Sequence, residues 1–103
     1  MNPQFKKGVL ELCVLSMVLK KDYYGYELVE EISKVVDISE GTLYPILRRL
    51  TDEKYFETYL RESNEGPSRK YYKITKVGRD FQKDQLKQWN EFNQDINKLI
   101  TKG

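Results

Sequence analysis

The spacing of apolar residues changes twice along this chain of 103 residues, and this limits the fold more than any other sequence feature. Up to Lys54 apolar side chains recur at helical intervals, whereas Phe56, Thr58 and Leu60 occupy every second position. Such alternation predicts strands. A second alternating stretch, 71–74, follows a run of turn formers, and helical spacing then returns. The pattern predicts an α+β fold, mostly α, that contains one β-hairpin.

Three helices are predicted before the hairpin. The first, 5–19, is apolar nearly all round and must be covered on most sides. The second opens at Tyr23-Tyr24 and runs to about Lys34, and the third, 41–50, follows the N-cap candidate Ser39. Two short helices in succession, the second with Tyr and Arg on its free side, predict a helix-turn-helix. A hairpin directly after such a unit is a wing.

The last predicted helix runs from Thr75 to about residue 101. It carries four apolar residues spaced three, four and three: Trp89, Phe92, Ile96 and Leu99. This spacing is that of a short coiled-coil seam, which we expect to join two copies of the chain. The alternative is a helix that packs back on the first helix of its own chain. We therefore expect a winged helix-turn-helix DNA-binding unit, 1–75, and a C-terminal dimerisation helix, 76–103, within one compact domain.

One cysteine and no histidine exclude several kinds of site. A single thiol cannot form an internal disulfide, and a zinc site lacks its usual ligands, so no metal and no cofactor is expected. Without histidine the common nucleophilic triads are absent, and we expect no enzyme. The longest apolar stretch, 9–19, has eleven residues. A membrane helix needs ~20, so we expect a cytoplasmic protein without a membrane span.

Basic residues concentrate in the middle third of the chain. Segment 41–79 contains nine bases and five acids, whereas 1–40 contains five and seven, and 80–103 contains four and four. A basic block in an otherwise balanced domain is typical of a protein that meets phosphates, although a solvated face gives the same composition. An α-helix fits the major groove, where arginine binds guanine edges. Both Arg48 and Arg49 fit that role; the alternative is a solvated surface with ion pairs to Asp52 or Glu53.

Three stretches carry more specific motifs: Tyr-Gly-Tyr-Glu-Leu at 24–28, Gly-Thr-Leu-Tyr-Pro at 41–45 and Gly-Pro-Ser-Arg-Lys-Tyr-Tyr at 66–72. In order and spacing they resemble the PadR family of bacterial winged-helix transcription regulators, and the single C-terminal helix resembles its small subfamily. The resemblance gives recognition-helix positions to Ser39, Thr42, Tyr44 and Arg48, and wing positions to Arg69, Lys70 and Tyr71. Tyr24, in the first motif, is a further candidate DNA contact; the alternative is a half-buried ring.

Family membership implies a homodimer that binds a palindromic operator in double-stranded DNA through its recognition helices and wings. Many members are repressors released by a small molecule, and Trp89 falls where some drug-sensing members place a tryptophan in a central pore. A planar aromatic effector at Trp89 is therefore expected; the alternative is a tryptophan packed into the core of the dimer interface. The leading hypothesis is a sequence-specific DNA-binding repressor. The alternative is a winged-helix protein-interaction module without DNA binding.

Overall fold

The computed structural model describes residues 3–101, with side chains from residue 7 onward. Within that range four helices and three strands follow one another: α1 Pro3–Lys20, β1 Tyr23–Tyr24, α2 Gly25–Ser33, α3 Glu40–Asp52, β2 Phe56–Ser63, β3 Gly66–Ile74 and α4 Lys76–Ile100. The strands form one antiparallel sheet in the order β1-β3-β2. The predicted α+β class, with a helix-turn-helix followed by a wing and a long last helix, is confirmed.

The prediction that Tyr23 and Tyr24 open the second helix is wrong. They form β1 and pair with Tyr72 and Tyr71 of β3. The free edge of β3 offers unpaired backbone groups, and tyrosine fits a pleated surface better than a first helical turn. Helix α2 starts at Gly25, where an added Cβ would lie 3.3 Å from a ring carbon of Tyr72 and 3.3 Å from one of Tyr44. The glycine therefore allows β3, α2 and α3 to approach closely.

Helix α3 ends in a Schellman motif that turns the chain into the hairpin. The N–H of Tyr55 donates to the carbonyl of Leu50, and the N–H of Lys54 donates to that of Thr51, both at 3.0 Å. Lys54 takes a left-handed backbone conformation, with φ 68°. A side chain is costly there, and the residue most often found at this position is glycine.

The core lies between the three N-terminal helices and the inner side of the sheet. Its buried apolar residues are Leu10, Val14, Leu15, Val18, Leu28, Val29, Ile32, Leu43, Ile46, Leu47, Leu50, Phe56, Tyr72 and Ile74. Four of them come from α3 at the positions predicted for its apolar stripe. Burying each such side chain stabilises the fold by roughly 1.5–3 kcal/mol, so this stripe holds α3 against the core.

The first turns of α4 are anchored to the rest of the chain. Thr75 is the N-cap, and its hydroxyl accepts a hydrogen bond of 2.9 Å from the N–H of Gly78. An added Cβ at Gly78 would lie 2.1 Å from the carbonyl oxygen of Tyr55, so only glycine fits. The rings of Tyr55 and Phe81 stack with centroids 4.0 Å apart. Beyond this anchor α4 extends outward, which makes the molecule 56 Å long. Among the described residues, no helix is long and apolar enough to cross a membrane.

Candidate nucleic-acid interface

Helix α3 presents a polar face opposite its buried stripe. Thr42, Tyr44 and Arg48 are all exposed on it. Ser39, the residue before the helix, places its hydroxyl oxygen 3.3 Å from that of Thr42, and this hydroxyl does not cap the helix backbone. The structure therefore brings Ser39 and Thr42 together at the start of α3, whereas Tyr44 and Arg48 lie further along the exposed side of the helix.

The wing lies beside this face, and strand alternation divides its basic motif between two sides of the sheet. Lys70 shares a side with the buried Tyr72 and Ile74, whereas Arg69 and Tyr71 point the other way. On the inner side, one depression of about 420 Å³ is lined by Tyr44, Arg48, Lys70 and Tyr72, together with Thr51 and Asp52. The ammonium of Lys70 lies 5.8 Å from the ring centre of Tyr72. We call Tyr44, Arg48 and Lys70 the inner face.

On the other side of the sheet, tyrosines and arginines form a second cluster. The ring of Tyr71 stacks on Tyr59 at 5.5 Å and lies 6.0 Å from that of Tyr24. The guanidinium of Arg61 lies 4.6 Å from the ring centre of Tyr71, and that of Arg69 lies 5.1 Å from the ring centre of Tyr24. We call Tyr24, Tyr71, Arg61 and Arg69 the outer face.

Sequence reasoning did not single out Arg61. In the register of the hairpin it lies directly opposite Arg69. The alternation along β2 predicts on which side of the sheet the Arg61 side chain lies. Its cross-strand partner on β3 depends on where the hairpin turns, and the six consecutive turn formers do not fix that register. Like charges directly opposite each other destabilise a strand pair. The hollows beside Arg69 are also lined by five glutamates: Glu27, Glu30, Glu31, Glu62 and Glu65.

Two tyrosines of the inner side have a pKa above its ordinary value. Burial is the main reason why the pKa of Tyr44 lies above its usual value, and the charge of Glu40 adds to it. Burial also raises the pKa of Tyr72, followed by the effect of Tyr44, while the charge of Arg48 acts in the opposite direction. A neutral hydroxyl can donate a hydrogen bond, which a phosphate oxygen accepts.

Comparison with known proteins assigns this architecture to a family. Residues 14–84 match the model of the transcriptional regulator PadR-like family, which is more than half of the chain. The chain belongs to the PadR-like family. It is a DNA-binding transcriptional regulator of the winged-helix type, and a family of transcriptional regulators is not an enzyme class.

Solved structures of bacterial transcriptional regulators have the same fold over nearly the whole chain. A PadR-like transcriptional regulator from Bacillus cereus is 37% identical, with 97% of this chain and 99% of that chain covered and a TM-score of 0.86. A Streptococcus transcriptional regulator is 36% identical, with 95% and 98% covered and a TM-score of 0.87. An uncharacterised protein from Lysinibacillus sphaericus is 36% identical over 94 residues, which cover 87% of this chain and 86% of that protein.

Arg49 does not lie with the inner face of this PadR-like protein. Its guanidinium contacts the Glu11 carboxylate of α1 at two points, Nε to Oε1 at 3.1 Å and a terminal nitrogen to Oε2 at 3.2 Å. The predicted ion-pair partners of Arg49 were Asp52 and Glu53. The structure instead pairs Arg49 with Glu11, which lies 38 positions earlier in the chain. Spacing along α3 places Arg49 near Thr42, but it cannot reveal that another helix supplies a carboxylate. Arg49 is therefore not among the proposed DNA contacts.

The four predicted seam residues lie on the outward part of α4. Trp89 is half-buried and lines a groove of about 370 Å³ between α4 and α1, together with Gly8, Val9, Leu12 and Phe92. Ile96 is half-buried as well. Phe92 is 52% exposed and Leu99 is 81% exposed.

Among the described residues, no group of three or more histidine, cysteine or acidic side chains is placed to hold a metal ion.

Proposed function

We propose that this PadR-like protein is a homodimeric repressor that binds a palindromic operator in double-stranded DNA through the inner face. The observation that carries the proposal is the depression shared by Arg48 of α3 and Lys70 of β3, with Tyr44 between the helix and the wing. One cation thus comes from the element that fits a major groove and one from the adjacent wing. A DNA backbone that runs between them contacts both.

Each residue of α3 has a role that its chemistry supports. Arg48 projects from an exposed helix face, where a guanidinium can bind the two acceptors of a guanine edge. Ser39 and Thr42 carry hydroxyls at the start of the helix, and these hydroxyls can form hydrogen bonds with bases or phosphates. Lys70 and the neutral hydroxyl of Tyr44 hold phosphates, because an ammonium and a phenol both donate to phosphate oxygens.

The outer face supplies a second set of phosphate contacts. Arg69 and Arg61 face each other across the hairpin, and a phosphate that binds both removes their mutual repulsion. The rings of Tyr24 and Tyr71 hold these guanidinium groups in place by cation–π contacts, so that binding restricts their side-chain freedom less. Tyr24 and Tyr71 thus act mainly by positioning the arginines.

The homodimer is proposed to form through the outward part of α4, with Trp89, Phe92, Ile96 and Leu99 as its seam. The partly or largely exposed side chains of these residues support it, because a row of exposed apolar groups along a helix is typical of a surface that binds another protein. In this division, segment 1–75 binds DNA and segment 76–103 dimerises. Two-fold symmetry then requires two equivalent half-sites, which makes the operator palindromic.

Release of the operator is proposed to follow binding of a planar aromatic effector beside Trp89. The groove between α1 and α4 is lined mainly by apolar groups, and an indole offers both stacking and cation–π attraction. Titration of a panel of planar aromatic compounds, with and without operator DNA, tests this. A compound that quenches Trp89 fluorescence and lowers operator affinity supports the effector site, because coupling between two sites is reciprocal. A panel without any quenching contradicts it.

Selection from a random DNA library tests sequence-specific binding. The wild-type protein is mixed with duplexes that contain a randomised central segment, and bound DNA is amplified and sequenced over several rounds. The proposal predicts enrichment of a palindrome whose half-sites are about one helical turn apart. A promoter that carries this palindrome should be transcribed less when the protein is added. No enrichment would contradict DNA recognition and favour the protein-interaction module; enrichment without repression would contradict the repressor role alone.

A further inference from the structure

The ion pair between Glu11 and Arg49 joins the first helix to the recognition helix. The Glu11 side chain is 15% exposed and that of Arg49 is 41% exposed, and the two contacts at 3.1 and 3.2 Å use both carboxylate oxygens. Two other ion pairs, Lys34–Glu31 and Lys21–Glu27, connect sequence neighbours whose side chains are more exposed than Glu11. The Glu11–Arg49 pair is therefore partly shielded from water, and it spans two elements of the fold.

Such a pair restricts the direction in which a side chain leaves α3, which apolar packing alone does not determine. The buried stripe of α3 holds the helix against the core, but hydrophobic contacts are non-directional and do not fix the side chains at the edge of the stripe. A two-point contact between guanidinium and carboxylate is directional. Because Arg48 precedes Arg49 on the same helix at a fixed angle, anchoring Arg49 also sets the direction in which Arg48 leaves the helix.

The pair also removes a charge from the surface of α3. Arg49 is neutralised by Glu11, so that Arg48 remains as the arginine that this helix presents on the inner face. A cation attracts any phosphate, whatever the sequence, whereas a single well-oriented arginine distinguishes bases. The ion pair therefore favours selectivity over general attraction to DNA.

From these observations we propose that Glu11 is a positioning residue for DNA recognition, which acts through Arg49 to orient Arg48; the inference rests on the proposed function of the inner face. Glu11 itself does not contact DNA. It belongs to the turn of α1 whose other residues, Gly8 and Leu12, line the groove beside Trp89.

The experiment compares binding to two duplexes of equal length by fluorescence anisotropy: the sequence selected by the wild-type protein and a scrambled version of it. Glu11→Gln keeps the size of the side chain and removes its charge. Glu31→Gln is the matched control, because it makes the same change in net charge by removing the partner of Lys34. Arg49→Lys keeps the cation and removes the fork that contacts both oxygens.

Glu11→Gln and Arg49→Lys are expected to weaken binding to the selected duplex roughly tenfold, a size typical of coupled pairs. Neither should weaken binding to the scrambled duplex, which Glu11→Gln should strengthen, because Arg49 is then free to attract phosphates. Glu31→Gln should change neither. The exchanged pair Glu11→Arg with Arg49→Glu should regain most of the preference for the selected duplex. Thermal unfolding followed by circular dichroism establishes that each variant is folded at the assay temperature.

If the ion pair only stabilises the fold, the result is different. Glu11→Gln and Arg49→Lys then unfold at a lower temperature but bind both duplexes with the affinity of the wild-type protein. This outcome overturns the inference and leaves the proposed function intact. Equal weakening of both duplexes overturns it as well, because general DNA affinity and not selectivity has then changed. If the wild-type protein selects no sequence, the proposed function fails and the inference fails with it.

Discussion

The side-chain amide of Gln82 donates a hydrogen bond of 3.1 Å from Nε2 to the hydroxyl of Ser16, and this contact ties the C-terminal helix to α1. Gln82 is only 6% exposed and is a buried polar residue in an otherwise apolar packing layer. Apolar contacts would allow α4 to slide along α1, whereas a buried hydrogen bond is satisfied at one position only. The pair therefore fixes the direction in which α4 leaves the DNA-binding unit.

Gln82→Ala is expected to lower the free energy of unfolding by about 1–3 kcal/mol, because the Ser16 hydroxyl is left without its partner. Urea unfolding measures the change. Gln94→Ala, on the exposed part of the same helix, serves as the control and should alter stability by about 0.5 kcal/mol or less. If Gln82→Ala and Ser16→Ala give strictly additive decreases when combined, the two side chains are not coupled and the interpretation is wrong.

Lys54→Gly is expected to raise the free energy of unfolding by about 1 kcal/mol, because Lys54 has a positive φ that glycine adopts without strain. Lys54→Ala is the matched control. It removes the lysine side chain but keeps the Cβ, so its stability should stay within about 0.5 kcal/mol of the wild type. Urea midpoints that rise equally for both variants would show that the charge, and not the backbone conformation, is responsible.

The elements with long and regular patterns could be predicted from the sequence. The stripe of α3, the alternation on both sides of the turn at 63–68 and the helical spacing of α4 each extend over at least two repeats of their period, so their periods are unambiguous. Strand β1 could not be predicted. It has two residues, and its conformation is decided by pairing with β3, which lies far along the chain.

The individual residues of the candidate site could be predicted from the sequence. Which of them lie together on one face could not. Motif and spacing indicated Arg48, Arg69 and Lys70, yet which of the two wing cations faces α3 depends on strand alternation combined with the direction from which the helix approaches. The separation of Arg49 from Arg48 depends on Glu11, and nothing in the local sequence of α3 indicates that partner. Tertiary contacts therefore determine which wing cation faces α3 and which of the two arginines of α3 is exposed, and periodicity does not.

Phe92→Asp is expected to weaken the proposed homodimer by roughly 10- to 100-fold, since a buried phenylalanine contributes about 1.5–3 kcal/mol and a carboxylate cannot replace it. Sedimentation equilibrium gives the dissociation constant. Val35→Asp makes the same kind of change at an exposed apolar residue outside α4 and should leave the constant unchanged. A wild-type protein that sediments as a monomer at micromolar concentration would contradict the proposed dimer.

The salt dependence of DNA binding tests the inner face most directly. Affinity for the selected duplex is measured by anisotropy over a range of salt concentrations for the wild type, Lys70→Ala and Lys87→Ala, where Lys87 lies exposed on α4 away from the inner face. The account predicts that Lys70→Ala flattens the slope of log K against log salt by about 0.9 for each phosphate that Lys70 neutralises, whereas Lys87→Ala keeps the wild-type slope. Equal slopes for all three folded proteins would contradict the assignment of the inner face to DNA.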